Sequence, residues 1–363
     1  MVYASFLIFA VLFVAYANGA NDNFKGVATL FGSGTTGYRG ALAWGTVTTF
    51  AGSVTAVLLS AQLVVKFSGK GLVPDPLVGS PHFVGAVALA SAMTVLLATL
   101  LSLPISTTHA LTGALVGAGL VQAHGNVQFS VLGAAFFLPL LFSPVVAMLL
   151  VAVLYPTLHA LRTRMGLRRE TCVCVGQKWV PVELASGGAA PALPAGVELS
   201  TCQERYQGTV LSVTVQDVLT GAHYLSAGAV SFARGLNDTP KIVALLIAAK
   251  AMGLKGGMTL VGLAMGMGAV LHARTVAETM SHKITRMNHG QGFLTNLVTA
   301  GLVLVASRFG LPVSTTHVSC GSLFGIGAIT GQARWKTIAG VLLAWIVTLP
   351  LSALLAAIAA YFV

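Results

Sequence analysis

Asn18-Gly19-Ala20-Asn21-Asp22-Asn23-Phe24-Lys25-Gly26-Val27-Ala28 has a partner later in the chain, Arg234-Gly235-Leu236-Asn237-Asp238-Thr239-Pro240-Lys241-Ile242-Val243-Ala244. Gly, Asn, Asp, Lys, Val and Ala fall in the same places. A second pair of motifs follows in the same order, Pro104-Ile105-Ser106-Thr107-Thr108-His109 and Pro312-Val313-Ser314-Thr315-Thr316-His317. Gly113, Gly117 and Gly119 are matched by Gly321, Gly325 and Gly327. Two polar clusters, each duplicated inside apolar sequence, point to a chain built from two related membrane halves.

With 56% hydrophobic and 8% charged residues, the chain departs far from a soluble domain, where about a quarter of residues are charged. Apolar runs recur at 3–31, 41–65, 83–103, 105–121, 129–158, 218–249, 258–272, 293–306, 311–329 and 338–363. Most approach the ~20 residues that a helix needs to cross a ~30 Å hydrocarbon core. A barrel would show short strands of alternating polarity instead. The expected fold is therefore an all-α polytopic membrane protein. No basic residue precedes the first run and no Ala-x-Ala site follows it, so it reads as a retained span rather than a signal peptide.

The net charge of +11 comes from basic residues at segment ends. Arg162, Arg164, Arg168 and Arg169 cluster after the fifth run, as the positive-inside rule describes; no nucleic acid is expected. Placing that cluster in the cytoplasm sends both termini outside. Five segments per half is odd, which makes the repeats inverted. The Ser-Thr-Thr-His segments, short and Gly-rich, are the ones expected to be re-entrant.

The resulting division is a first membrane repeat at 1–158, a small cytoplasmic insertion at 159–216 and a second repeat at 217–363. Cys172, Cys174 and Cys202 lie in the insertion without a recognisable fourth ligand, so they read as free thiols, and no metal or cofactor is expected. Cys320 reads as a packing residue. The Gly-rich loop 32–37 lacks the features of a phosphate-binding loop and reads as a connector. Thr46, Thr48 and Thr49 are expected to bond their own helix carbonyls.

An Asp inside a span costs at least ~3 kcal/mol, and such residues commonly line a transport path. Lys25 and Lys241, three residues after Asp22 and Asp238, would allow simple structural pairs. The recurrence beside an Asn in both halves favours a transport site. The residue before a proline disfavours helix, so chains should break at Leu103-Pro104 and Leu311-Pro312 and restart on Ser-Thr-Thr. Such a start caps a helix and presents hydroxyls and free N–H groups to an anion.

These motifs resemble the inorganic phosphate transporter (PiT) family, whose signature is a duplicated Gly-x-Asn-Asp element, here Gly19 to Asp22 and Gly235 to Asp238. Its Pro-x-Ser-Thr-Thr-His element matches Pro104 to His109 and Pro312 to His317. The resemblance covers both membrane halves and nothing in the insertion. It implies a secondary symporter of the plasma (inner) membrane, with broken or re-entrant helices at a central site and usually a homodimer. Carried onto this chain, it puts the anion among Asn21, Ser106, Thr107, Thr108, Asn237, Ser314, Thr315 and Thr316, with Asp22 and Asp238 serving the coupling cation. One departure is that some relatives carry an acidic residue near Thr49 and Phe50.

Two carboxylates and a doubly charged phosphate cannot share a low-dielectric cavity unless sodium ions or protons enter with them. A protonated phosphate can donate to an Asp, whereas sulfate has no proton to give; phosphate is favoured on that ground. The competing readings are a permease for sulfate or another oxyanion with the same fold, an anion channel, and a membrane enzyme acting on phosphoryl groups. The last would need a nucleophile, base or metal cluster. His109 and His317, the only histidines within the motifs, read as orienting the Ser-Thr-Thr turns, so no enzyme is expected.

Overall fold

The computed structural model describes residues 2–59, 61–165, 169–175, 178–181, 202–206, 209–210 and 213–362. Helix α1 (Val2–Asp22) runs into a 3-10 turn (Asn23–Gly26) and then α2 (Ala28–Gly32). There follow α3 (Tyr38–Leu59), α4 (Ala61–Phe67), α5 (Pro81–Leu100) and α6 (Thr107–Gln122). The short α7 (Phe129–Val131) continues through a π turn into α8 (Leu138–Arg164). After the insertion come α9 (Val215–Ala248), α10 (Leu254–His272), α11 (Arg274–Glu278), α12 (His289–Arg308), α13 (Thr315–Thr330) and α14 (Trp335–Phe362). Among the described residues, strands lie only in the insertion: β1 (Arg169–Val175) pairs antiparallel with β2 (Lys178–Pro181) and β3 (Cys202–Tyr206), and β4 (Thr209–Val210) with β5 (Val213–Thr214). Val173 stands opposite Cys202 in the register; the side chains of Cys172, Cys174 and Cys202 lie outside the described part of the structure.

Among the described residues, 7 helical stretches are long and apolar enough to cross a bilayer. Helix α9 is longer than any span requires, at 34 residues, but carries Arg234, Asp238 and Lys241 in its middle. Helices α6 and α13 have 16 residues each, about 24 Å at 1.5 Å per residue, which is short of the ~30 Å core. Both begin after a proline break, as the Ser-Thr-Thr-His segments lead one to expect. Polarity is turned inside out: Leu58, Leu225 and Ile346 face outward, 70% or more exposed, while Asp22, Lys25, Arg234, Asp238 and Lys241 are 3% exposed or less.

The first span is not one helix. Asn21, Asp22, Asn23 and Gly26 are poor helix formers, and α1 stops at Asp22. The second copy has Ile242 in place of Gly26, and α9 runs on through Pro240. Gly26 also sits where an added Cβ would lie 2.2 Å from the Ser231 hydroxyl, so the unwound turn rests directly on α9.

The motif glycines bring backbones together. A Cβ on Gly19 would lie 1.9 Å from the Met265 carbonyl oxygen of α10, and one on Gly268 of α10 would lie 1.9 Å from the Tyr16 oxygen of α1. In the other crossing, Gly235 of α9 meets the Thr49 oxygen of α3 at 2.1 Å and Gly52 of α3 meets the Phe232 oxygen of α9 at 2.1 Å. Each residue of one crossing is 216 positions from its counterpart in the other (19 to 235, 49 to 265, 52 to 268, 16 to 232). Helix α3 thus packs on α9, and α10 packs on α1. Gly113 and Gly117 seat α6 on α14 in the same manner, and Gly321 and Gly325 seat α13 on α8. Close approach through small residues is how membrane helices gain packing without a hydrophobic driving force.

Candidate functional site

Among the described residues, the buried Asp, Glu, Lys and Arg side chains are Asp22, Lys25, Arg234, Asp238 and Lys241. All five belong to one network at the ends of α6 and α13. The network begins with the caps. Ser106 accepts from the backbone N–H of His109 at 3.2 Å, and Ser314 from that of His317 at 3.1 Å, so each hydroxyl caps its helix start. The His109 and His317 rings meet edge to face with centroids 4.5 Å apart, which brings the two first turns against each other. Nδ1 of each ring bonds a carbonyl oxygen, Trp345 for His109 and Leu140 for His317. These histidines therefore hold the helix starts in place. Each N-terminus carries roughly half a positive charge.

Around Asp22, Oδ2 accepts from Asn18 Nδ2 at 2.7 Å and Thr107 Oγ1 at 2.8 Å, while Oδ1 receives Lys25 and, at 3.4 Å, Thr316. The Lys25 ammonium donates in addition to Asn21 Oδ1 at 2.8 Å, the Ile105 carbonyl at 2.7 Å and Thr316 Oγ1 at 2.8 Å. Around Asp238, Oδ1 accepts from Asn237 Nδ2 at 3.0 Å and Lys241 at 3.3 Å, and Oδ2 accepts from Thr315 at 3.3 Å. Lys241 also donates to the Val313 carbonyl at 2.7 Å and Thr108 Oγ1 at 2.8 Å. Each lysine therefore bonds a threonine of the opposite half.

Arg234 joins the two sides. Its guanidinium donates to Asn18 Oδ1, to Asn23 Oδ1 at 2.9 Å and to Thr49 Oγ1 at 3.3 Å, while Nε stands 3.8 Å from Asp238 Oδ2. Asn18, bonded to both Arg234 and Asp22, completes the path between the carboxylates. Three cationic side chains against two anionic ones leave the cluster with one positive charge, to which both helix starts add.

Every residue expected at the site lies in or against this cluster. Asn21 uses its whole amide on the chain: Nδ2 donates to Thr99 and to the Leu103 carbonyl, while Oδ1 accepts from Lys25 and the Ile105 N–H. It thereby ties α1 to the proline break before α6. Asn237 does the same for the second break, donating to the Val313 carbonyl at 3.2 Å and accepting from Ser307 at 3.3 Å. The carboxylates are already supplied with donors from the chain, so in this structure a preference for phosphate does not rest on a free Asp oxygen. Asn18 and Arg234 belong to the cluster without having been singled out from sequence, and Thr49, read there as a helix-bonding hydroxyl, belongs to it as well. Arg234 carried the signal that marked Asp22 and Asp238, a charge inside an apolar run. Thr49 does not bond its own helix but donates to the Ser231 carbonyl of α9 at 3.2 Å; Thr46 and Thr48 do bond their own helix, as expected.

A family model described as the phosphate transporter family matches residues 18–356. A Thermococcus kodakarensis protein provisionally named a phosphate permease is 27% identical over 387 residues, covering 95% of this chain and 93% of that one. Inorganic phosphate transporter 2-1, chloroplastic, of Arabidopsis thaliana is 26% identical over 416 residues, covering 95% of this chain and 70% of its own length. A solved structure described as the sodium-dependent phosphate transporter has the same fold, with a TM-score of 0.77 over 100% of this chain and 99% of that one at 20% identity.

Proposed function

The chain belongs to the phosphate transporter family, and on that premise we propose that it is a secondary active importer of inorganic phosphate that carries the anion together with a cation, sodium or proton. It is a multi-pass membrane protein whose family and fold are those of transporters rather than enzymes. The observation that carries the reading is the junction of two Ser-capped helix starts with a buried cluster of net positive charge. Backbone N–H groups at a helix start and nearby ammonium groups are the donors an oxyanion requires. Ser106, Thr107, Thr108, Ser314, Thr315 and Thr316 supply hydroxyls, Asn21 and Asn237 hold the breaks open to the anion, and Asp22 and Asp238 supply the counter-charge that couples a cation to its passage.

The two halves act as inverted repeats that rock about this fixed site. The reciprocal glycine crossings support that motion, because α3 is carried by the second half and α10 by the first. The reading extends to the plasma membrane, the inner one where a cell has two, and to a homodimer. Both are carried over from the family resemblance, and crosslinking in native membranes tests the dimer.

The central test is uptake of labelled phosphate into liposomes holding the purified full-length chain, under an imposed sodium or proton gradient. Accumulation above equilibrium, competed by arsenate and not by equal sulfate, is the expected result. Equal competition by sulfate makes the chain a general oxyanion permease, and flux without accumulation makes it a channel. Ser106→Ala and Ser314→Ala should each raise the KM for phosphate by about tenfold. The loss of a cap and of a hydroxyl donor costs about 1–2 kcal/mol, and 1.4 kcal/mol is tenfold in affinity.

A further inference from the structure

The two lysines occupy a particular kind of surrounding. Lys25 Nζ is enclosed by a carboxylate oxygen of Asp22, the amide oxygen of Asn21, the Ile105 carbonyl and the Thr316 hydroxyl. Lys241 Nζ is enclosed by a carboxylate oxygen of Asp238, the Val313 carbonyl and the Thr108 hydroxyl. The partners correspond by repeat: Asp22 with Asp238, Ile105 with Val313, Thr108 with Thr316. All are hard oxygens, and a carboxylate, an opened backbone carbonyl and a hydroxyl are the donor set that binds hard metal cations. An ammonium is a compact point charge with three donors, and in each half it fills the centre of that set from a tether three residues away.

We infer that Lys25 and Lys241 are built-in counter-cations that take up the two oxygen cages of the site, so that anion transport by this chain needs no metal cation. The inference rests on the proposed transport function and narrows it. A freely diffusing cation must enter with each turnover to neutralise an anion beside two carboxylates. Here the carboxylates are neutralised by the chain, and with Arg234 the site keeps a surplus positive charge for the anion. Coupling, where present, then falls to the proton. The cages differ in one ligand: Asn21 reaches Lys25, whereas Asn237 turns to Ser307 and Val313. The Lys241 cage therefore has one oxygen fewer, and the Phe67 ring lies 5.7 Å from its ammonium.

Two readouts on the purified full-length protein test this. In liposomes at fixed pH gradient, phosphate uptake by the wild type should change by less than twofold when sodium is replaced by choline; a tenfold loss overturns the inference. Lys25→Asn with Lys241→Asn should lose uptake at least tenfold in choline and regain it in sodium. A double variant that works equally in choline, or gains nothing from sodium, overturns the inference. Melting temperature in sodium against choline is read alongside, because it does not depend on which anion is carried. Sodium should raise it for the double variant and leave the wild type unmoved; a rise in the wild type, or none in the variant, counts against the tethered cations. If the wild type takes up no phosphate while sodium stabilises only the double variant, the phosphate assignment falls and the tethered cations stand.

Discussion

An Asp22→Asn protein reconstituted in liposomes is expected to take up phosphate at least on the order of a hundredfold more slowly than the wild type. The substitution keeps the shape of the side chain and removes its charge. The Lys25 ammonium, 3% exposed and bonded to Asp22, then stays buried beside an uncharged amide. Breaking a buried ion pair by losing one partner costs about 3–5 kcal/mol, and each 1.4 kcal/mol is a factor of ten. The amide also puts its NH2 either where Asn18 and Thr107 both donate to Oδ2 or where Lys25 donates to Oδ1, so a donor faces a donor in either orientation. Asp238→Asn should act in the same direction, because Lys241 lies 3.3 Å and Arg234 3.8 Å from its carboxylate and both would stay buried beside an uncharged amide. The exposed Asp75→Asn serves as the control and should transport normally. Near-normal uptake by both buried variants would remove the ion cluster from the transport path.

Gly235→Val should leave little folded protein, read as the monodisperse fraction in detergent and its melting temperature. A Cβ at Gly235 would lie 2.1 Å from the Thr49 carbonyl oxygen and 2.8 Å from the Ser53 nitrogen, both backbone atoms that no rotamer change can move. Helix α3 must shift away from α9, and the Arg234 bond to Thr49 is lost with it. Overpacking alone costs about 1–3 kcal/mol, and the loss of one hydrogen bond to a charged, buried guanidinium adds about 1.5–3 kcal/mol. Gly301→Ala, where an added Cβ meets nothing within 4 Å, should fold as the wild type does. A well-folded Gly235→Val protein would mean that the α3–α9 crossing is looser than its geometry implies.

Much of this arrangement was legible in the chain, because burying charge in a bilayer is costly enough to make the charged residues conspicuous. Asp22 and Asp238 stand out in apolar runs, and the Pro-x-Ser-Thr-Thr-His copies announce where a helix must break and be capped. What could not be read depends on tertiary partners. Gly19 and Gly235 align in the motif, yet nothing local says that each is pressed against another helix's carbonyl. Thr49 has the local option of its own helix, and only the proximity of α9 sends its hydroxyl to Ser231. The loop at 32–37 reads as a connector, but Thr35 bonds both His223 and His289, contacts between residues far apart in sequence. Helix α8 continues to Arg164, past the apolar limit at 158, since Arg and Leu are good helix formers whatever the surrounding solvent.

Lys25 reaches Thr316 and Lys241 reaches Thr108, so neither half owns a finished pocket. Cutting the chain between Pro181 and Cys202 should give two fragments that are each inert in uptake and active when co-expressed; activity from one fragment alone would contradict the exchange. The same exchange bears on ancestry. A half-length forerunner built this way would be complete only when two copies met, and a fusion of the two would then preserve a partnership that each half needs.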